Sequence, residues 1–393
     1  MLLVILFILL ILILLFYSVE IHPYIIVKLR RRFFMYDKKT PLQYYETGVL
    51  KAALRISKNE TPKMSLADNT YFPIVLVRLF YLKLRKNNRL KNSFPRAFLI
   101  NGIYDFAERR NDESLFVHIE KILSPFVKGI NNGDIKIGYV DQVSMGVVLL
   151  KLFNRTKKNE YKLASDLILE YVTNSIHKKH NIILYRKGKD FHYVDVLGMV
   201  CPFLYLYAKT FNRPDLTTLA NDQLLYYMKN GLAASKFPFH GIELETLTPI
   251  GSSNWGRGLG WYMLGLSAAL AYTSEQNNPK YPYLKKEMDN LNVQLEKFKN
   301  NHHWGQFLGI SKKWHTDTSV SCMLIYSLNI ADYSFDDNAF YTFIKPLTSK
   351  NGLVDFTSGD TEDINIYSRE YGHSELTQGL LLSILSKNTN ISS

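Results

Sequence analysis

The chain has 393 residues, 47% of them hydrophobic, including 26 Tyr and 23 Phe. That excludes an intrinsically disordered protein and leaves room for one large domain or two ordinary ones with an N-terminal appendage. Two cysteines, Cys201 and Cys322, both in apolar runs, favour buried thiols over a disulfide framework and suit a reducing compartment. A formal net charge of +13 calls for anionic surroundings, but no zinc-finger, RNA-recognition or helix-turn-helix pattern accompanies it, so nucleic acid is not an expected partner.

Met1 to Tyr17 is almost wholly Leu, Ile, Val and Phe, and apolar character resumes at Tyr24 to Val27. Such a run reaches the lower end of the spanning range, so residues 1–27 are expected to form a single-pass transmembrane anchor helix. No Lys or Arg precedes the run and no small-residue cleavage site follows, which argues against a cleaved signal peptide. Lys28, Arg30, Arg31, Arg32, Lys38 and Lys39 come after it. By the positive-inside rule they place the main domain on the cytoplasmic side, with the membrane as a partner through the N-terminal helix.

Residues 28–93 read as a basic juxtamembrane and helical lead-in. Pro41 to Ile56 has helical periodicity, Lys58 to Asn69 is a polar break, and Tyr71 to Leu84 is a second candidate helix. From Arg78 to Arg96 there are seven Lys or Arg and no acidic residue, a surface fit for anionic lipid or an acidic polymer.

From about residue 94 to 393 the chain repeats loosely. A helix of small and apolar residues, a polar turn and an amphipathic helix follow one another in Ala97 to Glu108 with Leu115 to Lys128, and in Gln142 to Phe153 with Tyr161 to Ser175. The form recurs in Val196 to Thr210 with Leu216 to Asn230 and in Gly260 to Thr273 with Tyr283 to Phe298, and further first helices begin near Thr318 and Glu375. Helical-hairpin repeats of this length either stack as a solenoid or close into a ring. Six units favour closure, and the expected fold is all-α, an (α/α)6 barrel of six helical hairpins with the small-residue helices inside.

In such a ring the loops before the inner helices converge at one end. The residues there are Asp141, Asp195, Trp255 with Arg257, Asp317 with Ser319, and His373. Each acid or hydroxyl alone is a good helix cap. Five rims of one ring carrying acids, aromatics and an Arg read better as a site. In Asn254-Trp255-Gly256-Arg257-Gly258-Leu259-Gly260-Trp261-Tyr262, glycines clear space beside two indoles and a guanidinium, a combination suited to an anionic sugar. The Gly-x-Gly-x-Gly spacing is not a nucleotide loop, since no strand precedes it and no Lys-Ser/Thr follows. Neighbouring helices pack roughly 8–10 Å apart, so Asp141 and Asp195, in successive units, can face each other across a sugar with room for a water. That separation suits protonation with water activation rather than a covalent glycosyl intermediate.

The run Phe191-His192-Tyr193-Val194-Asp195-Val196-Leu197-Gly198-Met199-Val200-Cys201-Pro202-Phe203-Leu204, taken with Trp255-Gly256-Arg257-Gly258-Leu259-Gly260-Trp261, resembles the unsaturated glucuronyl and rhamnogalacturonyl hydrolases, glycoside hydrolase families 88 and 105. The resemblance covers about Pro95 to the C-terminus and implies the same six-hairpin barrel. It also implies removal of a 4,5-unsaturated uronic acid from oligosaccharides, without metal or cofactor, by hydration of the enol ether. In that pattern Asp195 is the acid and base, and Asp141 is the second carboxylate. His240, in Phe237-Pro238-Phe239-His240, is expected to hydrogen-bond the substrate, and Arg257 and Trp261 to bind or stack on the uronate. Two departures bear on sugar identity: Tyr193 stands where the family often has Trp, and Asp317 where a similar segment usually carries Glu.

Other chemistries find little support. His302, His303 and His315 lack a His-Glu-x-x-His or a Cys pair for zinc, and Gly251-Ser252-Ser253 and Gly372-His373-Ser374-Glu375 lack a full nucleophile elbow. Two alternatives stay open. One is a non-catalytic, membrane-tethered carbohydrate-binding protein that holds acidic polysaccharide, and the other is a different barrel enzyme, such as an epimerase or a hydrolase of saturated glycosides.

Overall fold

The computed structural model describes residues 2–58, 93–186, 188, 190–299, 302–309, 316–361, 363–368 and 371–387. The second lead-in helix expected over Tyr71 to Leu84, most of the basic stretch from Arg78 and His315 lie outside these residues.

Among the described residues six helices form the inner ring: α4 (Phe94–Arg110), α6 (Met145–Thr156), α8 (Asp195–Phe211), α10 (Gly256–Tyr272), α12 (Thr318–Ile330) and α14 (Glu375–Lys387). Each packs on the next, and α14 packs on α4, so the ring closes. Their sequences explain the inner position. In α10, Gly256 through Leu270 is buried without interruption, as a helix touched on every side must be. Closure needs two backbones in contact. A Cβ on Gly379 would fall 2.0 Å from the Phe98 carbonyl oxygen, and one on Gly102 would fall 2.1 Å from that of Gly379.

The outer helices are amphipathic. They include α5 (Glu113–Asn131), α7 (Asn159–Thr173), α9 (Pro214–Asn230), α11 (Tyr281–Lys297) and the short α13 (Asp337–Ile344). On α5, Leu115, Phe116, Ile119, Leu123, Phe126, Val127 and Ile130 are buried, the spacing of a single apolar stripe. Helix α3 (Leu42–Ser57) packs on both α14 and α4 and buries Tyr45, Glu46, Val49, Ala52 and Ala53. The last inner helix is thus covered by one from the start of the chain.

Short strands decorate the loop end. The β1–β2 hairpin pairs Ile176–His177 with Ile182–Ile183. A three-stranded antiparallel sheet runs β3 (Phe191–Tyr193), β4 (Gly241–Glu243), β5 (Thr248–Ile250), with Tyr193 opposite Gly241. A last pair joins β6 (Thr357–Ser358) to β7 (Tyr371–Gly372).

The N-terminal anchor is not borne out. Helix α1 (Leu2–Phe16) has 15 residues, about 22 Å of rise against a hydrocarbon core of about 30 Å. A π-helical turn at Tyr17–Ile21 interrupts it, and α2 (His22–Phe33) then carries three arginines in its last turn. Among the described residues no helix is long and apolar enough to cross a membrane. The single-pass anchor, the membrane as a partner and the cytoplasmic placement drawn from the flanking charge therefore fall together. Two of those flanking charges have a different use. Arg30 Nη2 lies 2.9 Å from Asp355 Oδ2 and Arg31 Nη2 lies 3.1 Å from Asp355 Oδ1, on a carboxylate with no exposed surface.

Candidate active site

Asp195 is the first residue of α8. The strand before it fixes its place, because β3 pairs with β4 and the Val194 amide donates to the His240 carbonyl at 3.0 Å. That bond draws His240 against the acid. Between α8 and α10, a Cβ on Gly198 would meet the Trp261 carbonyl oxygen at 2.7 Å, so glycine there lets the two helices seat Trp261 beside α8. Asp141 sits in a 3-10 turn, Val140–Gln142, ahead of α6. The Tyr185 hydroxyl donates to its Oδ1. Arg257, in the first turn of α10, donates from Nη1 to the Ser358 carbonyl at 2.9 Å and from Nη2 to the Gly359 carbonyl at 2.5 Å.

These groups surround a cavity of about 250 Å³ lined by Asp141, Asp195, Trp255, Arg257 and Trp261 together with Ser93, Phe94, Tyr185, Arg186, Asp360 and Thr361. Its walls are aromatic. Phe94 meets Trp261 edge-on at 5.2 Å, and the Arg257 guanidinium carbon lies 5.7 Å from the Trp255 ring centre. Among the described residues three carboxylates and two guanidinium groups share this space.

Burial pushes the Asp195 carboxyl up to about 7. The backbone amide and Arg257 oppose the rise, and the Asp141 and Asp360 charges add to it. Desolvation outweighs a nearby cation here because the carboxyl side chain keeps 14% of its surface and its Oδ2 has no hydrogen-bond partner among the described residues. His240 Nε2 is 3.6 Å from that oxygen. Burial, helped by the Arg257 charge, lowers the imidazole to about 4, so near neutral pH the pair is a neutral ring beside an acid. The ring packs 4.5 Å from Trp255 and 5.7 Å from Tyr193, centre to centre.

Of the residues expected from sequence, Asp141, Asp195, Trp255, Arg257 and Trp261 line one cavity. Tyr193 and His240 stand behind it, in ring contact with each other. Asp317 and Ser319 are fully buried and bonded to each other, away from the lining. His373 donates from Nδ1 to the Val354 carbonyl at 2.7 Å, beside the Asp355 cluster. Sequence reasoning passed over Tyr185, Arg186, Asp360 and Thr361. Tyr185 and Arg186 follow the β1–β2 hairpin, and the Ser358-Gly359-Asp360 turn carried only a generic turn signal. Among the described residues no group of three or more His, Cys, Asp or Glu is placed to hold a metal ion.

Several solved structures share this architecture. A glycoside hydrolase from family 105 of C. acetobutylicum ATCC 824 superimposes with a TM-score of 0.64 at 20% identity, over 81% of this chain and 99% of that one. A possible member of family 105 from Klebsiella pneumoniae gives 0.71 at 16% identity, over 88% and 92%. The unsaturated glucuronyl hydrolase of Bacillus sp. GL1, responsible for the degradation of glycosaminoglycan, gives 0.64 at 14%, over 88% and 96%. At these identities the likeness establishes the fold. No curated protein sequence matches the chain. The model of Glycosyl Hydrolase Family 88 matches residues 76–340, about two-thirds of the length, which bears out the resemblance drawn from the Asp195 and Trp255–Trp261 segments: the chain belongs to glycosyl hydrolase family 88 and is a glycoside hydrolase.

Proposed function

We propose that the protein removes a 4,5-unsaturated uronic acid from the non-reducing end of acidic oligosaccharides by hydrating its enol ether double bond. The observation that carries this reading is an Asp195 carboxyl held at about 7 in a cavity that also presents Arg257 and two Trp. An acid intended to protonate carbon near neutral pH has to be protonated there, and ordinary Asp is not. The solved relative from Bacillus sp. GL1 is named for unsaturated glucuronyl substrates, which supports the same substrate class.

In this account the uronate ring lies between Trp255 and Trp261 with its carboxylate toward Arg257. A cavity of about 250 Å³ is below the usual drug-sized range of roughly 300–1,000 Å³ and suits a single terminal ring. Asp195 gives its proton to C4, and positive charge develops at C5 and the ring oxygen. Water adds to C5, and the Asp195 carboxylate takes a proton from it, assisted by Asp141. The C5 hemiketal opens to a ketone, and the hemiacetal then exposed at C1 collapses, releasing the next sugar with the glycosidic oxygen. One water is consumed and Asp195 ends protonated. No covalent bond to the enzyme forms, and no cofactor is called for.

The test is turnover in deuterium oxide followed by NMR. Hydration puts one deuterium on C4 of the uronate product. Direct hydrolysis of the glycosidic bond would release the next sugar while the freed uronate still shows its vinylic C4 proton, and that transient would refute the mechanism while leaving the glycosidase assignment intact.

A further inference from the structure

The Arg257 guanidinium is the cavity's link to a second, fully buried network. Its two Nη donors end on the carbonyls of Ser358 and Gly359, which leaves three of the five N–H groups of an arginine for other use. Ser358 is in turn tied down by Asp317. Its hydroxyl donates to Asp317 Oδ2 at 2.5 Å and its amide to Oδ1 at 3.3 Å. Asp317 also caps α12, accepting the Ser319 amide at 2.9 Å and the Ser319 hydroxyl at 2.6 Å. The carboxylate has no exposed surface, and neither has Ser319.

A helix cap needs only the bond to Ser319. An N-cap Ser, Thr or Asn would serve α12 as well as Asp does, without a second carboxylate oxygen to satisfy in the interior. The second oxygen faces away from the helix, toward β6. It holds the residue whose carbonyl orients Arg257, and two residues further along the same loop lies Asp360, which lines the cavity. Cap, loop and guanidinium are thus joined by three consecutive hydrogen-bonded contacts.

We propose that Asp317 and Ser358 are positioning residues that set Arg257 and the Ser358–Asp360 wall for the substrate uronate. This inference rests on the reading of the cavity as a uronate site, and it assigns Asp317 a place behind that site. The loop carbonyls turn Arg257 so that its free donors face the cavity. The guanidinium charge also bears on Asp195, where it holds the carboxyl lower than burial alone would leave it. Slackening the loop would therefore change two things at once, uronate affinity and the pH at which the acid loses its proton.

The experiment compares Ser358→Ala, Ser358→Thr, Asp317→Asn and Arg257→Ala in the full chain, with an unsaturated uronyl disaccharide as substrate. Affinity is measured separately by calorimetry on each substitution combined with Asp195→Asn. Ser358→Ala is expected to raise KM and the dissociation constant about 10-fold or more. The basic limb of its kcat/KM profile should move upward by about half to one pH unit as Arg257 withdraws from Asp195. Ser358→Thr, which keeps the hydroxyl, should restore both. Asp317→Asn keeps the cap and should resemble Ser358→Ala. Normal affinity and an unmoved pH profile in Ser358→Ala, with Arg257→Ala impaired, would overturn the positioning role and spare the uronate site. Normal affinity in Arg257→Ala would overturn both. Unchanged KM and pH profile for Asp317→Asn, which keeps the cap, would reduce Asp317 to a helix cap.

Discussion

His240 Nε2 and Asp195 Oδ2 are 3.6 Å apart, near enough to resemble an ion pair, yet the site keeps the imidazole neutral and the carboxyl about half protonated at pH 7. Both shifts have the same cause. Burial between Trp255, Tyr193 and Tyr367 disfavours either charge, and the Arg257 cation adds to the penalty on the imidazole while partly relieving that on the carboxyl. A neutral histidine can accept or donate a hydrogen bond to a sugar hydroxyl without quenching the acid beside it.

Asp195→Asn should reduce kcat by at least about 10³-fold, since the residue acts as both acid and base, while substrate binding survives. In the wild-type chain kcat/KM should fall above about pH 7 with unit slope as the acid form is lost. A profile flat from pH 6 to 9 would remove Asp195 as the proton donor.

The same substitution should stabilise the fold. A carboxyl at about 7 in the native state and about 3.9 in the unfolded chain binds more protons when folded, so it lowers stability as pH rises between those values. Asparagine escapes that penalty. The melting temperature of Asp195→Asn should match the wild type near pH 4 and exceed it by a few degrees at pH 8. Equal melting temperatures at pH 8 would mean that the acid is not desolvated.

Tyr185→Phe removes the hydroxyl that donates to Asp141 and keeps the ring that packs 5.5 Å from Tyr193. A fall in kcat of about 10- to 100-fold is expected, with KM moving less. Unchanged kcat would show that Asp141 needs no fixed orientation.

Arg31→Met tests the N-terminal helix. Burial alone would raise the Asp355 carboxyl, but the Arg31 hydrogen bonds, His373, the Arg31 charge and the Phe356 amide hold it below its usual value. Such a group contributes stability above its unfolded value of about 3.9, and the contribution is lost as pH falls through the depressed native value. The variant should be about 2–3 kcal/mol less stable at pH 7, as read by denaturant unfolding. The difference should narrow below about pH 4.

Gly379→Ala tests ring closure. Its methyl would meet the Phe98 carbonyl oxygen at 2.0 Å, backbone that cannot step aside without parting α14 from α4. A loss of about 1–3 kcal/mol or more is expected. A neutral effect would mean that the ring ends slide freely.

Much of this arrangement was legible in the sequence because inner helices have a composition of their own. Small and apolar residues on every face mark α8 and α10, and the Trp/Arg segment stands at the start of one of them. The final closure was less legible. Helix α3 covers α14, which begins more than 300 positions later, and no pairing of neighbours in chain order finds that contact. Tyr185 and Asp360 were passed over because each lies in an irregular turn, where only the folded ring brings it to the cavity. The N-terminal run misled for a physical reason. Composition alone does not separate a spanning helix from a 15-residue one, and the turn at Tyr17–Ile21 decides the length. Arg30 and Arg31 resembled a membrane flank because their partner, Asp355, is more than 320 residues away.

The most direct test mixes the protein and its Asp195→Asn variant in turn with unsaturated disaccharides released by pectin-type and glycosaminoglycan-type lyases, following ultraviolet absorbance of the conjugated double bond. The account predicts loss of that absorbance with at least one class, absent in Asp195→Asn. Absorbance that persists with every disaccharide, or decays equally in the variant, would contradict it.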